Sequence, residues 1–370
     1  MNKNSNITRG FTALAASALL ATGVAACGSD DNSSSGSSKN AGSGSKLSGQ
    51  IAGAGASSQA AAQEAWTAGF QEANPDVTVS YDPIGSGGGR EQFNSGGVLF
   101  GGTDSAFKDD ELTAAQKRCG GADNFIEAPV YISPIAIIYN LDGVDSLQLK
   151  PATAAKIFSG KITKWDDPAI KADNPDAKLP SDRITVVHRS DDSGTTNNFT
   201  DYLHQAAAGD WTDEPADTWP IKGQEAAEGT SGVVDAVQNG SGTIGYADAS
   251  QAGELGVAKV EVSGQYLAPS ADAAAKIFDE SKESDDPGKY VFTYTLNRKP
   301  KTGTYPIVLA SYAMACTKYD KPQDAKNVQG YLKYIVSQEG QQAAAKNAGS
   351  APLPDSVRQK IEPALDAIGS

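Results

Sequence analysis

Histidine is nearly missing from this 370-residue chain; only His188 and His204 occur. That disfavours a metal or catalytic centre built on imidazole, the commonest ligand and base in such sites. Basic residues are also scarce, 31 Lys and Arg against 45 Asp and Glu, for a net charge of −14. Nucleic acid and anionic membrane are poor partners for that field, and any anion has to be held by a local site working against it. Beyond the N-terminus no apolar run is long enough to cross a membrane. What the chain does have is length, enough for two domains and a large core.

The first 46 residues read as export and tether rather than fold. Lys3 and Arg9 make a positive start, and residues 11–26 are apolar and rich in Ala and Leu. The run ends in Val24-Ala25-Ala26-Cys27-Gly28, which resembles a bacterial lipobox. It implies a signal peptide over 1–26, cleavage before Cys27 and diacylglycerol on its sulfur, with an ordinary secretory signal as the alternative. Residues 27–46 are Gly/Ser/Asn-rich without apolar period and are expected to form a flexible tether. Cys119 and Cys316 remain. In an exported chain they are expected to form one disulfide, the other reading being two separate buried thiols.

The rest of the chain is organised around His188-Arg189-Ser190-Asp191-Asp192-Ser193-Gly194-Thr195-Thr196. Ile184-Thr185-Val186-Val187 leads in as a strand. Phe199, Tyr202 and Leu203, at i, i+3 and i+4, mark a helix leading out. Ser193 or Thr195 would cap that helix, and the free N–H groups of its first turn would face the loop. Such a terminus attracts anions, and Arg189 adds a planar fork of donors suited to an oxyanion. The bland alternative is a capped helix with a surface arginine.

The same strand–turn–helix device appears twice upstream. Gly53-Ala54-Gly55-Ala56-Ser57-Ser58 precedes a helix running to about residue 73, and Gly85-Ser86-Gly87-Gly88-Gly89-Arg90 follows the strand at 77–81. Residues 98–106 form a short strand entering a polar turn at Asp104, whose plain role would be to cap a helix over 109–117. Residues 127–140 and 305–315 read as long buried strands, 152–159 as a short helix, and 268–287 as helical and then acidic. Strands alternating with helices predict an α/β fold with largely parallel sheets. In such sheets ligands lie at the carboxyl ends of strands, where all three serine-bearing turns fall.

Taken together these stretches resemble PstS, the phosphate-binding proteins of bacterial ABC phosphate importers. The likeness runs from about residue 53 to 354. It rests on the three turns above, on Gly101-Gly102-Thr103-Asp104, on Gly160-Lys161-Ile162-Thr163-Lys164-Trp165-Asp166-Asp167, on Gly242-Thr243-Ile244-Gly245-Tyr246, and on Leu353-Pro354-Asp355-Ser356-Val357. It implies a type II periplasmic-binding-protein fold, two α/β lobes joined by hinge strands with the ligand cleft between them. Lobe 1 would be 47–136 plus 304–370 and lobe 2 would be 137–303.

The resemblance also implies a site. Ser57, the Ser58 backbone N–H and Ser86 would bind phosphate from the first lobe, and Arg189, Ser193, Gly194 and Thr195 from the second. Asp104 would accept a proton from the ligand, and Asp191 would hold the Arg189 fork. No cofactor, metal, catalytic residue or nucleic acid is implied; the partners would be inorganic phosphate, the importer's permease and, through the lipid, the outer face of the cell membrane. A monomer is expected. Two positions depart from the family's usual pattern. Ser58 replaces an aromatic, and Asp192 stands where glycine is common, adding a charge beside the site. The alternatives are a binder of another oxyanion or phosphorylated metabolite, and a secreted phosphate-ester hydrolase, for which the chain offers no cysteine nucleophile near the site and no close-spaced acidic metal cluster.

Overall fold

A computed structural model describes residues 46–285, 288–301 and 303–370. The predicted signal peptide, Cys27 and all of the tether but Lys46 lie outside the described residues. Among the described residues no helix is long and apolar enough to cross a membrane.

The main sheet starts with β1 (Gly49–Gly55), flanked in parallel by β2 (Val77–Asp82) and β3 (Phe100–Thr103). Helices α1 (Ala60–Ala73) and α2 (Ser86–Ser95) leave the carboxyl ends of β1 and β2, and α3 (Asp109–Arg118) follows β3. The long β-branched run forms β4 (Phe125–Asn140), sixteen residues buried at all but the last. Then come β5 (Thr185–Arg189), β6 (Glu225–Ala227), β7 (Thr243–Asp248) and β8 (Val308–Cys316). The order across the sheet is β2-β1-β3-β8-β4-β7-β5-β6.

β4 serves two neighbourhoods. From Phe125 to Pro134 it pairs with β8, and from Ile135 to Asn140 with β7. It is therefore a continuous strand passing from one half of the sheet to the other. The expectation of largely parallel pairing is corrected here: β8 runs antiparallel to both β3 and β4, and β4 antiparallel to β7. A strand buried on both faces reads as an unbroken apolar run whichever way its neighbours point, so composition carries no direction.

The helix expected over 268–287 is also shorter than predicted. It spans Ala271–Ala275 with a Ser270 cap, followed by a 3-10 turn at Phe278–Glu280 and a small strand at Lys282–Glu283. The acidic Asp279-Glu280-Ser281 stretch offers no apolar face to extend it.

Behind the central turn lies an aromatic core. Helix α4 (Gly194–Ala206) buries Phe199, Tyr202 and Leu203 completely. Each such burial contributes roughly 1.5–3 kcal/mol. Phe199 stacks on Tyr246 of β7 at 4.5 Å between centroids, and Trp219 stacks on Tyr246 at 5.5 Å. The Tyr246 hydroxyl accepts the Arg189 N–H at 3.3 Å and pairs with the Thr196 hydroxyl at 2.7 Å. Packing thus fixes both ends of the turn that carries Arg189.

Candidate functional site

Three helix beginnings meet at Asp104. The first is the 3-10 turn Ser57–Gln59 that opens into α1. There Ser58 points its hydroxyl at Asp104, 2.8 Å from each carboxylate oxygen. The second is α2, where the Ser86 hydroxyl accepts the Asp104 backbone N–H at 3.1 Å. The third is α4, from which Thr195 donates to Asp104 Oδ2 at 3.0 Å. Ser311 of β8 donates to Oδ1 at 2.6 Å. Asp104 does not cap the helix Asp109–Arg118, whose preceding residue is Lys108. All of these side chains are buried, Asp104 with 3 % of its surface exposed.

The approach is close enough to demand glycine. A Cβ on Gly194 would stand 2.7 Å from the Asp104 carbonyl carbon and from its Cβ. Ser193 caps α4 by accepting the Thr196 N–H at 3.2 Å. The N–H groups of Gly194 and Thr195 are in the first turn, where helix geometry supplies no internal acceptor. Gly85, before α2, has φ +89°, a left-handed conformation that favours glycine, and it abuts the Asp191 carboxylate.

Arg189 supplies the positive charge. Its Nε donates to Asp191 Oδ1 at 2.7 Å and its Nη2 to Asp191 Oδ2. Asp191 also accepts the Gly229 N–H at 3.0 Å, at the start of α5 (Gly229–Asn239). Burial pushes the Asp191 carboxyl up, but the Arg189 guanidinium and the Gly229 N–H outweigh it, and the group lies below the usual carboxylate range. Asp104 goes the other way. Burial raises its carboxyl, and the three hydroxyls and the charge of Arg189 only partly compensate.

A carboxylate offers about four lone-pair positions. Ser58 reaches both oxygens, Thr195 reaches Oδ2 and Ser311 reaches Oδ1, so each Asp104 oxygen has two hydroxyl contacts. The arrangement therefore combines helix-start donors and a fixed guanidinium, which suit an oxyanion, with a buried carboxylate, which repels an anion that brings no proton.

The PBP superfamily domain profile matches residues 36–339. "Phosphate-binding protein PstS 3" of Mycobacterium leprae (strain TN) is 36% identical over 365 residues, covering 96% of this chain and 98% of its own. The chain belongs to the PstS family. "Phosphate-binding protein PstS 2" of Mycobacterium tuberculosis (strain ATCC 25618 / H37Rv) is 33% identical over 96% of this chain and 98% of its own. Among solved structures, a phosphate-bound high-affinity periplasmic phosphate-binding protein (PfluDING) superposes with a TM-score of 0.71 at 23% identity, covering 85% of this chain and 93% of that one. A phosphate-binding protein from Stenotrophomonas maltophilia gives 0.66 at 19%, covering 85% and 94%. At such identities the likeness is one of fold, the two-lobed binding-protein architecture.

In this PstS-family chain the two unusual positions have definite places. Ser58 is fully buried and its hydroxyl is spent on Asp104. Asp192 is exposed and turned outward, its carboxylate accepting from Thr218 at 2.8 Å. His188 stacks on the Trp219 ring at 5.4 Å with Nδ1 against the Arg189 carbonyl. Sequence reasoning missed several residues at the same place. The Thr230 hydroxyl lies 2.9 Å from that of Ser57, and Gln251 donates to the Ser57 carbonyl at 3.0 Å. Asn198 donates to the Asp104 carbonyl at 2.7 Å and is itself held by Arg298. Thr230 stands at a helix start, and Ser311 is a lone serine in an apolar run, so both carried a signal. Gln251, Asn198 and Arg298 carried none.

Proposed function

We propose that this protein is an extracytoplasmic substrate-binding protein that captures inorganic phosphate and delivers it to the permease of an ABC importer. It binds without catalysing a reaction. The phosphate would lie between the two halves of the sheet, taking donors from Ser57, the Ser58 N–H, Ser86, Arg189, Ser193 and the N–H groups of Gly194 and Thr195, with Asp191 holding Arg189. The lobes would be 47–136 plus 304–370 and 137–303, which agrees with the switch of β4 between partners at Pro134 and Ile135. Cys27 would carry lipid and hold the mature monomer at the outer face of the membrane.

The observation that carries this reading is the buried Asp104 carboxylate, set among helix starts and beside Arg189. A free anion without a proton meets repulsion there, while monobasic and dibasic phosphate both bring a proton to donate. Specificity for phosphate and arsenate over sulfate follows. Isothermal titration calorimetry of the purified protein with phosphate, arsenate and sulfate in parallel tests it. Heat from the first two and none from sulfate is expected; equal binding of sulfate, or no binding of phosphate, refutes it.

A further inference from the structure

Arg90 lies one helical turn beyond Ser86 on α2, with its side chain only 6% exposed. Its donors reach three other segments. Nε donates to Glu111 at 2.9 Å, and Nη1 to the hydroxyls of Thr103 at 3.1 Å and Ser105 at 2.9 Å, the residues on either side of Asp104. Nη2 donates to Asp217 Oδ2 at 2.7 Å. Asp217 belongs to the segment between α4 and β6, in the other half of the sheet. The same carboxylate oxygen accepts the Ser105 hydroxyl at 2.9 Å, and the Asp217 backbone carbonyl accepts the Ser193 N–H at 3.0 Å.

We propose that Arg90 and Asp217 form a latch across the cleft, a pair of positioning residues that holds the two sides of the binding site together without touching the ligand. Arg90 ties α2, which carries Ser86, to the turn that carries Asp104. Through Asp217 it ties both to the loop whose Ser193 opens α4. This inference rests on the binding reading above.

The chemistry suits a latch more than a surface ion pair. A charge this buried persists only with compensating partners, and the guanidinium has two carboxylates and two hydroxyls. Burial disfavours the charged form of Arg90, but Asp217 and Glu111 outweigh it and raise the group. Glu111, Thr103 and Ser105 stay with Arg90 whether the two sides are together or apart, because all four come from the same half. Only the contacts to Asp217 depend on closure. They add to the closed arrangement alone, so they raise affinity by slowing release and leave encounter nearly unchanged.

Stopped-flow and calorimetric measurements on wild type and Asp217→Asn test this, with phosphate as ligand. Expected is a rise in koff of roughly ten- to a hundredfold with kon within about threefold. The melting temperature without phosphate should be unchanged, which a merely structural role would not leave alone, and the phosphate-over-sulfate ratio should also be unchanged. Asp217→Glu, which keeps the charge one methylene away, should give a smaller rise and serves if Asp217→Asn does not fold. A wild type that ignores phosphate overturns the binding reading; a wild type that binds it, with koff unaltered in a folded variant, overturns the latch alone.

Discussion

Asp191 accepts both Nε and Nη2 of Arg189, two residues away in the chain, so the guanidinium is locked edge-on by its own loop. Asp191 is in turn held by the N–H of Gly229. The fork is set before any ligand arrives, which removes an ordering cost from binding. Asp191→Ala frees it. Phosphate affinity should fall roughly ten- to a hundredfold, the equivalent of about 1.4–2.8 kcal/mol, as read by calorimetry. Because the Asp191 carboxyl lies lower in the folded protein than its ordinary 3.8, its stabilising effect is complete above that value. It is lost as pH falls through the folded pKa. The variant should therefore show a shallower loss of stability on acidification below about pH 4.

Asp248 predicts a pH effect of opposite sign. It ends β7 opposite Ile135, where β4 changes partner. Burial raises its carboxyl to about 7, with repulsion from Asp104 adding to it, although Ser250 donates to it through N–H and hydroxyl. The Tyr131 hydroxyl faces both of its oxygens at 3.3 Å. The folded protein holds a proton that the unfolded chain releases, so this group makes stability fall as pH rises from about 4 through about 7. Asp248→Asn removes that slope. Urea unfolding at pH 5.5 and 8.5 should show the variant gaining on wild type at the higher pH by about 2 kcal/mol, at about 1.4 kcal/mol per unit of pH between 5.5 and the folded pKa. An identical pH dependence in the two proteins counts against it.

Cys119 and Cys316 are bonded, with their Cα atoms 5.1 Å apart, at a sequence separation of 197. The bond joins the end of the helix Asp109–Arg118 to the end of β8. Closing so long a loop contributes roughly 2–5 kcal/mol in the loop-entropy model. Reduction should lower the melting temperature by several degrees, and denatured, unreduced protein with Cys27 blocked or lipidated should offer no thiol for labelling. Two labelled thiols would refute the bond.

Cys27 tests the anchor. Cys27→Ser in cells should leave the protein unprocessed or release it into the medium, since serine has no thiol for lipid. A cleaved variant that still sediments with membranes would contradict lipid anchoring.

Much of the geometry was legible because its signals are local. Ser57, Ser86 and Ser193 each follow a strand at a helix start, with a glycine before the first two and after the third, and the structure brings their turns together around Asp104. Partners that depend on tertiary position were harder to see. Asp217 sits in a segment without apolar period, so nothing marked it as facing Arg90. The direction of β8 was hidden because its two buried faces erase the alternation that reveals an antiparallel strand. Asp104 carried a misleading local signal, a carboxylate shortly before a helix, and only long-range contacts with Ser58, Thr195 and Ser311 show where its side chain goes.

The central claim is that Asp104 selects a protonated oxyanion. Asp104→Asn keeps the shape and one acceptor oxygen while removing the charge. The direct measurement is the ratio of phosphate to sulfate dissociation constants, by calorimetry at pH 7.5, for wild type and variant in the same buffer. The account predicts that the variant narrows the gap, weakening phosphate and admitting sulfate, because the repulsion against an unprotonated anion is gone. A folded Asp104→Asn protein with the wild-type ratio would contradict it.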